Sequence, residues 1–175
     1  MMYPFLSAIL PALNPAQVPE ITVAEFDALA EEHLPAKLTV KMRSWDDPSK
    51  PAQLPVYTEM RRFMACMNYR IAVIRAEKLK LNADFEVPEN LYGEIDYALA
   101  SAVKASPADR EKLLDAALWY KLDDLEIGHE MDFEHLCIYR IRLAVLQKYA
   151  VRGNGNAVAN FEAALDKLAQ KFNEP

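Results

Sequence analysis

Glu126, His129, Glu130, Asp132 and His135 put five groups able to ligate a metal or move a proton into one short stretch. Glu126 and His129 have the Glu-x-x-His spacing with which di-iron helical bundles place a carboxylate and an imidazole on one helix face. Such centres need two of these pairs and two further carboxylates, all projecting inward, and the chain has no second Glu-x-x-His. Gly128 lies between the two ligands and is a natural helix stop, since helices commonly end on a residue with positive φ. His129 is therefore expected to leave the face that Glu126 occupies. No metal ligand and no cofactor are assigned, and His129 is expected to stabilise the turn or to make a pH-sensitive contact. A helical-bundle metal protein using the Glu126–His135 turn is the alternative.

Other chemistry is thinner still. Cys66 and Cys137 sit in apolar helical patterns and are expected to be packed free thiols of a cytosolic protein, neither a disulfide nor a metal pair. The GNGN run at 153–156 has no strand before it and no Lys-Ser/Thr after it, so it reads as a helix stop and not a phosphate loop. There is no Gly-x-Ser-x-Gly elbow. With no catalytic constellation, the chain is not expected to be an enzyme by itself.

Two helices must position the acidic turn. In the first, Ser106 is a cap, Pro107 suits the first turn, Asp109 is the capping-box partner, and Leu114, Ala117, Leu118, Leu122 and Leu125 form one apolar stripe. Asp132 caps the second helix, Phe133 to Val151, whose apolar residues point in nearly every direction. A helix apolar all round is one surrounded by neighbours, so it is expected at the centre of the fold, packed against the helix of Tyr57 to Leu81. Asp123, Asp124 and Glu126 crowd the last turn of the first helix, where the macrodipole favours cations. They are solvated, or pair with Arg140 and Arg142 across the turn, or meet basic residues of another protein chain. Arg70, Arg75 and Arg140 are the cations expected to hold at least one of them, pinning the Gly128–His129 corner.

The rest of the chain is helical too. At 175 residues, with 52% hydrophobic and 26% charged residues, it suits one globular domain, 1–175. Four glycines argue against a turn-rich β fold, and a net charge of −6 argues against nucleic acid as the main partner. The N-terminal MMYPFLSAILPAL is short, carries Pro4 and Pro11 and lacks a basic region, so neither a signal peptide nor a spanning helix is expected. Tyr3 to Leu10 is expected to be an extended arm lying against the helices. Thr22 and Glu25 make a capping box for a short helix with Phe26, Leu29 and Ala30 buried. Leu38 to Trp45 fits either a helical turn or an extended strip, and Asp46 to Pro55 is a loop. The longest helix spans about Tyr57 to Leu81, with a Met-rich core stripe, alanines on its opposite side and a basic flank of Arg62, Arg70, Arg75 and Lys80. Glu89 to Ala105 and Asn156 to Phe172 complete an all-α domain of about six helices with an extended N-terminal arm.

LWYKLDDLEIGHEMDFEHLCIYRIRLAVLQKY resembles the C-terminal signature of a bacterial domain-of-unknown-function family encoded in V-type ATPase operons. Trp119, Leu122, Asp123, Leu125, Gly128, His129, Asp132, Leu136, Tyr139, Leu143 and Leu146 carry the likeness. Tyr3, Leu6, Ala8, Leu10 and Pro11 resemble the family's aromatic start, ITVAEFDAL resembles its Ser/Thr-x-x-Glu-Phe helix, and the basic helix around Arg70 to Leu79 also fits. Asp124 stands where the family usually has glutamate, and the chain is much shorter than a full C-type stalk component of such an ATPase. The resemblance implies a non-catalytic protein of ion transport, either an accessory protein or one like that C-type component, which links the central stalk to the membrane rotor ring. Its partners would be other V-type ATPase subunits. It would be cytoplasmic, or peripheral at the inner membrane, touching the membrane only through those partners.

Overall fold

The structure, a computed structural model, describes residues 2–15 and 17–153, without the side chains of 108 and 149–153. Seven α-helices lie among these residues: α1 (Pro4–Ile9), α2 (Val23–His33), α3 (Ala36–Arg43), α4 (Pro55–Leu79), α5 (Gly93–Ala102), α6 (Pro107–Glu126) and α7 (Phe133–Gly153). A 3₁₀ turn, Ser44–Asp46, extends α3, so the ambiguous strip before the loop is helical. The fold is all-α. The helix expected over Asn156 to Phe172 lies outside the described residues.

The helix starts follow local chemistry. Thr22 and Glu25 form a reciprocal capping box, and Ser106 Oγ accepts the Asp109 amide while donating to its carboxylate. Pro4, Pro55 and Pro107 occupy first turns, where a missing amide hydrogen costs nothing. That preference overturns one expectation: Tyr3 to Leu10 is not an extended arm but the short helix α1, because Pro4 opens a helix and Pro11 lies beyond its end. A second correction concerns α5. The helix expected from Glu89 starts at Gly93 and ends at Ala102, and Glu89 to Tyr92 precedes it.

The core gathers around α7. Six consecutive residues, Leu136 to Ile141, are buried, as are Leu143, Val145 and Leu146, so this helix is covered on all sides as its composition requires. Its closest backbone neighbours are α6 and α2, while α6 also packs against α5 and α4. The expected partner α4 reaches α7 through side chains: the Tyr57 hydroxyl donates to the Met42 carbonyl beside Cys137, whose thiol burial pushes up to about 12. Both cysteines are free and buried. Met60 and Met67 are core residues, as the Met-rich stripe predicts.

Candidate functional site

The acidic turn forms a tight corner between α6 and α7. The Ile127 and His129 amides close back onto Asp124 and Glu126 carbonyls, and Gly128 takes φ +88°. A Cβ at Gly128 would meet nothing within 4 Å, so backbone conformation alone calls for glycine here. Met131 also has a left-handed backbone, φ +58°, a conformation that costs an L-residue about 1–2 kcal/mol. The N-terminal strip braces it: the Tyr3 amide donates to the Met131 carbonyl, and Met2 forms an isolated antiparallel bridge with Asp132.

Asp132 then starts α7 with both oxygens engaged. Oδ1 accepts the His135 amide at 2.8 Å, satisfying an otherwise orphaned donor of the first turn, and Oδ2 lies 2.8 Å from His129 Nδ1. The Asp132 bond holds the imidazole pKa of His129 above its ordinary value, against the opposing effect of partial burial. Burial pushes the Asp132 carboxyl up, but the bonds from His129 and from the α7 amides outweigh it and leave the carboxyl low. Nε2 of His129 faces Glu134 at 3.7 Å.

Glu126 is held from the other side. Its Oε1 lies 2.9 Å from His135 Nδ1, and its Oε2 accepts from Arg142 Nη1 at 2.6 Å. The second arm of Arg142 binds Asp123, and its guanidinium lies 5.3 Å from the Trp119 ring centroid. Cation, aromatic ring and two carboxylates thus clamp the last turns of α6 onto α7. This offsets the unfavourable placement of acids at a helix C-terminus.

The expected cations are elsewhere, and the assignment is corrected accordingly. Arg140 does not reach the turn. It is buried and forks onto Asp27 and Asp46 through four bonds of 2.7–2.9 Å, tying α7 to α2 and to the 3₁₀ turn. Arg70 pairs with Asp96 of α5, and exposed Arg75 lies on the distal half of α4 beside Lys78 and Arg110. Residues two apart on a helix point about 200° apart, so Arg140 and Arg142 serve opposite flanks of α7. The spacing was visible in the sequence; which flank each would serve was not. Asp124 does not join the clamp either: it is exposed and lines a groove between α5 and α6.

An open cleft of about 580 Å³ lies at the corner, lined by Ser7, Asp123, Glu126, His129, Glu130 and His135. Ser7 was not anticipated. It belongs to α1 and arrives only because α1 folds back over the corner. With Glu126 and Asp132 each engaged through both oxygens, no group of three His, Cys, Asp or Glu side chains is arranged to hold a metal among the described residues. The corner is suited to presenting charge in fixed positions. Compared with models of protein families, with curated proteins and with solved structures, the chain matches none.

Proposed function

We propose that the chain is a non-catalytic component or accessory protein of a bacterial V-type ATPase, similar to its C-type stalk component, that links the central stalk to the membrane rotor ring. One observation carries this function. The two stretches richest in the family resemblance, the aromatic N-terminal start and the Gly-His signature, are far apart in sequence and meet at one corner, where Tyr3 bonds Met131 and Met2 bridges Asp132. The signature residues there have structural tasks: Gly128 turns the chain, His129 and Asp132 lock the start of α7, and Asp123 joins the Arg142–Trp119 clamp. A rigid corner with Glu130 exposed beside it would offer acids to a basic patch on the stalk or ring, where charge mainly sets encounter and register. No described helix is long and apolar enough to cross a membrane, so contact with the bilayer would come through the partners.

The test is purification of the tagged, full-length protein from its native host under mild conditions, followed by mass spectrometry of what accompanies it. Stalk and rotor subunits of the ATPase should co-purify above an untagged control. Their absence from preparations in which the intact ATPase is present would overturn the assignment.

A further inference from the structure

α4, α5 and α6 converge at the end of α6 away from the acidic corner. Ile74, Leu99, Val103 and Leu114 floor a notch of about 70 Å³ there, and Arg75, Lys78 and Arg110 stand around it. Arg110 lies near the start of α6 and Glu126 at its end, so notch and corner are about 24 Å apart along that helix. Among the described residues no acidic side chain lines the notch. Its cations differ from the others of α4. Arg61 holds backbone carbonyls, Arg62 meets Glu89 and Arg70 meets Asp96, whereas neither Arg75 nor Lys78 has an ion pair among the described residues. The macrodipole favours Lys78, in the last turn of α4, but its effect fades within that turn and does not account for Arg75. Arg110 donates from Nε to the Ala102 carbonyl at 3.0 Å, which fixes its guanidinium beside the notch.

We propose that the notch binds an acidic peptide segment of a partner protein, which seats one aliphatic side chain between flanking carboxylates. A hole of this size has the room of roughly two or three waters. It suits the methyl groups of a leucine, isoleucine or valine and excludes an acyl chain. With that side chain seated, carboxylates on either side of it reach Arg75, Lys78 and Arg110. An arginine fork binds a carboxylate through paired charge-assisted bonds, so Arg75 and Arg110 supply direction as well as charge. Leu79, one turn past Arg75 on the same side, is 68% exposed and extends the apolar surface beneath the segment. The acids nearby leave the notch cationic. Glu77 lines the neighbouring α4–α5 groove with Lys104, and Asp109 faces Lys112 at 3.6 Å. Glu111 and Asp115, next to Arg110 and Leu114 in sequence, already have partners within the fold. Exposed Glu77, Asp84 and Glu86, at the end of α4 and in the connector after it, disfavour a uniformly anionic bilayer, which a short segment avoids. Neither the notch nor its ligand depends on what meets the acidic corner. In a linking protein the notch would be a second attachment, of opposite charge.

The probe is a fluorescein-labelled peptide in which glutamates flank a single leucine, titrated into the full chain at low salt and followed by anisotropy. Saturable binding is expected, at least tenfold weaker for Arg75→Glu. Lys37→Glu, an exposed reversal on α3 with the same net charge, should change it less than twofold. The peptide with serine in place of its leucine should bind at least fivefold more weakly. Methyl signals of Ile74, Val103 and Leu114 should shift during the titration before that of Ile127 at the corner. Circular dichroism checks that each variant is folded; should Arg75→Glu fail to fold, Lys78→Glu and the serine peptide decide. Absence of saturable binding, equal weakening by Lys37→Glu, or indifference to the leucine would overturn the proposal. So would tighter, Arg75-dependent binding to vesicles of phosphatidylcholine and phosphatidylglycerol than to the peptide, which would assign this end to an anionic bilayer. The assay contains no ATPase subunit, so its failure and that of the ATPase reading are separate results.

Discussion

At the scale of single residues, the corner depends on backbone conformation and on one imidazole. Gly128 has open space around its missing Cβ, so Gly128→Ala should cost only the left-handed backbone penalty, about 1–2 kcal/mol, in urea denaturation. A larger loss would reveal packing that the open space does not show. His129 makes stability depend on pH. Its pKa is raised in the folded state, so its contribution is full below the ordinary histidine value of about 6.5 and is lost as pH rises through the folded value. Asp132 is lowered, so its contribution is full above about pH 3.9 and is lost as pH falls through its folded value. The pair is therefore intact between roughly pH 4 and 6.5. His129→Gln should lower the melting temperature most near pH 5–6 and less at pH 8. An equal effect at both pH values would mean that the charge on the imidazole is irrelevant. Glu134, 3.7 Å away, acts in the same direction as Asp132.

At the scale of elements, α7 is the helix whose loss the fold could least tolerate. Leu143 and Leu146 are wholly buried, so either leucine changed to alanine should cost roughly 2–5 kcal/mol, the range for a leucine cavity. Losses below about 1 kcal/mol at both would contradict a helix surrounded by neighbours. Arg140 welds α7 to α2 and the 3₁₀ turn. Its burial would lower its pKa, but the bonds to Asp27 and Asp46 overcome this and keep it charged. Arg140→Met leaves half-buried Asp27 with only a 3.5 Å contact to Arg43, and should cost up to about 3 kcal/mol, less than the penalty of a fully buried uncompensated charge because water still reaches this carboxylate. Adding Asp27→Asn should restore part of that loss. If the double variant is no better than the single one, packing and not charge accounts for the effect.

At the scale of the whole molecule, the three acids of the turn divide into two groups with different consequences. Glu126 and Asp123 hold the corner together through Arg142, whereas Asp124 lines the α5–α6 groove. Glu126→Lys should therefore destabilise the fold by more than the 0–1 kcal/mol typical of an exposed pair, since both of its oxygens have partners within 3 Å. Asp124→Lys should leave circular dichroism and melting nearly unchanged. If the corner is where the ATPase docks, capture of the other subunits should weaken steeply for Glu126→Lys and with rising salt, and much less for Asp124→Lys. Undiminished capture by both variants at low and moderate salt would move the docking surface elsewhere.

Much of the fold was determined by the sequence itself because its signals are local. Caps at Thr22, Ser106 and Asp132, the stop at Gly128 and the all-round apolar pattern of α7 each depend on residues within a turn or two, and each is in place. The structure decided what depends on long-range approach. Pro4 is compatible with either an extended arm or a helix start, and α1 is a helix that lies over the corner, a contact no local pattern encodes. The pairing of charges was equally hidden. Arginine side chains are long enough to choose among several carboxylates, and only the packing of α2 and α6 on opposite flanks of α7 sends Arg140 to Asp27 and Asp46 and Arg142 to Asp123 and Glu126. The sequence named the chemistry of the turn, and the tertiary structure chose its partners, because spacing sets the direction of a side chain but only the approach of another element sets what it meets.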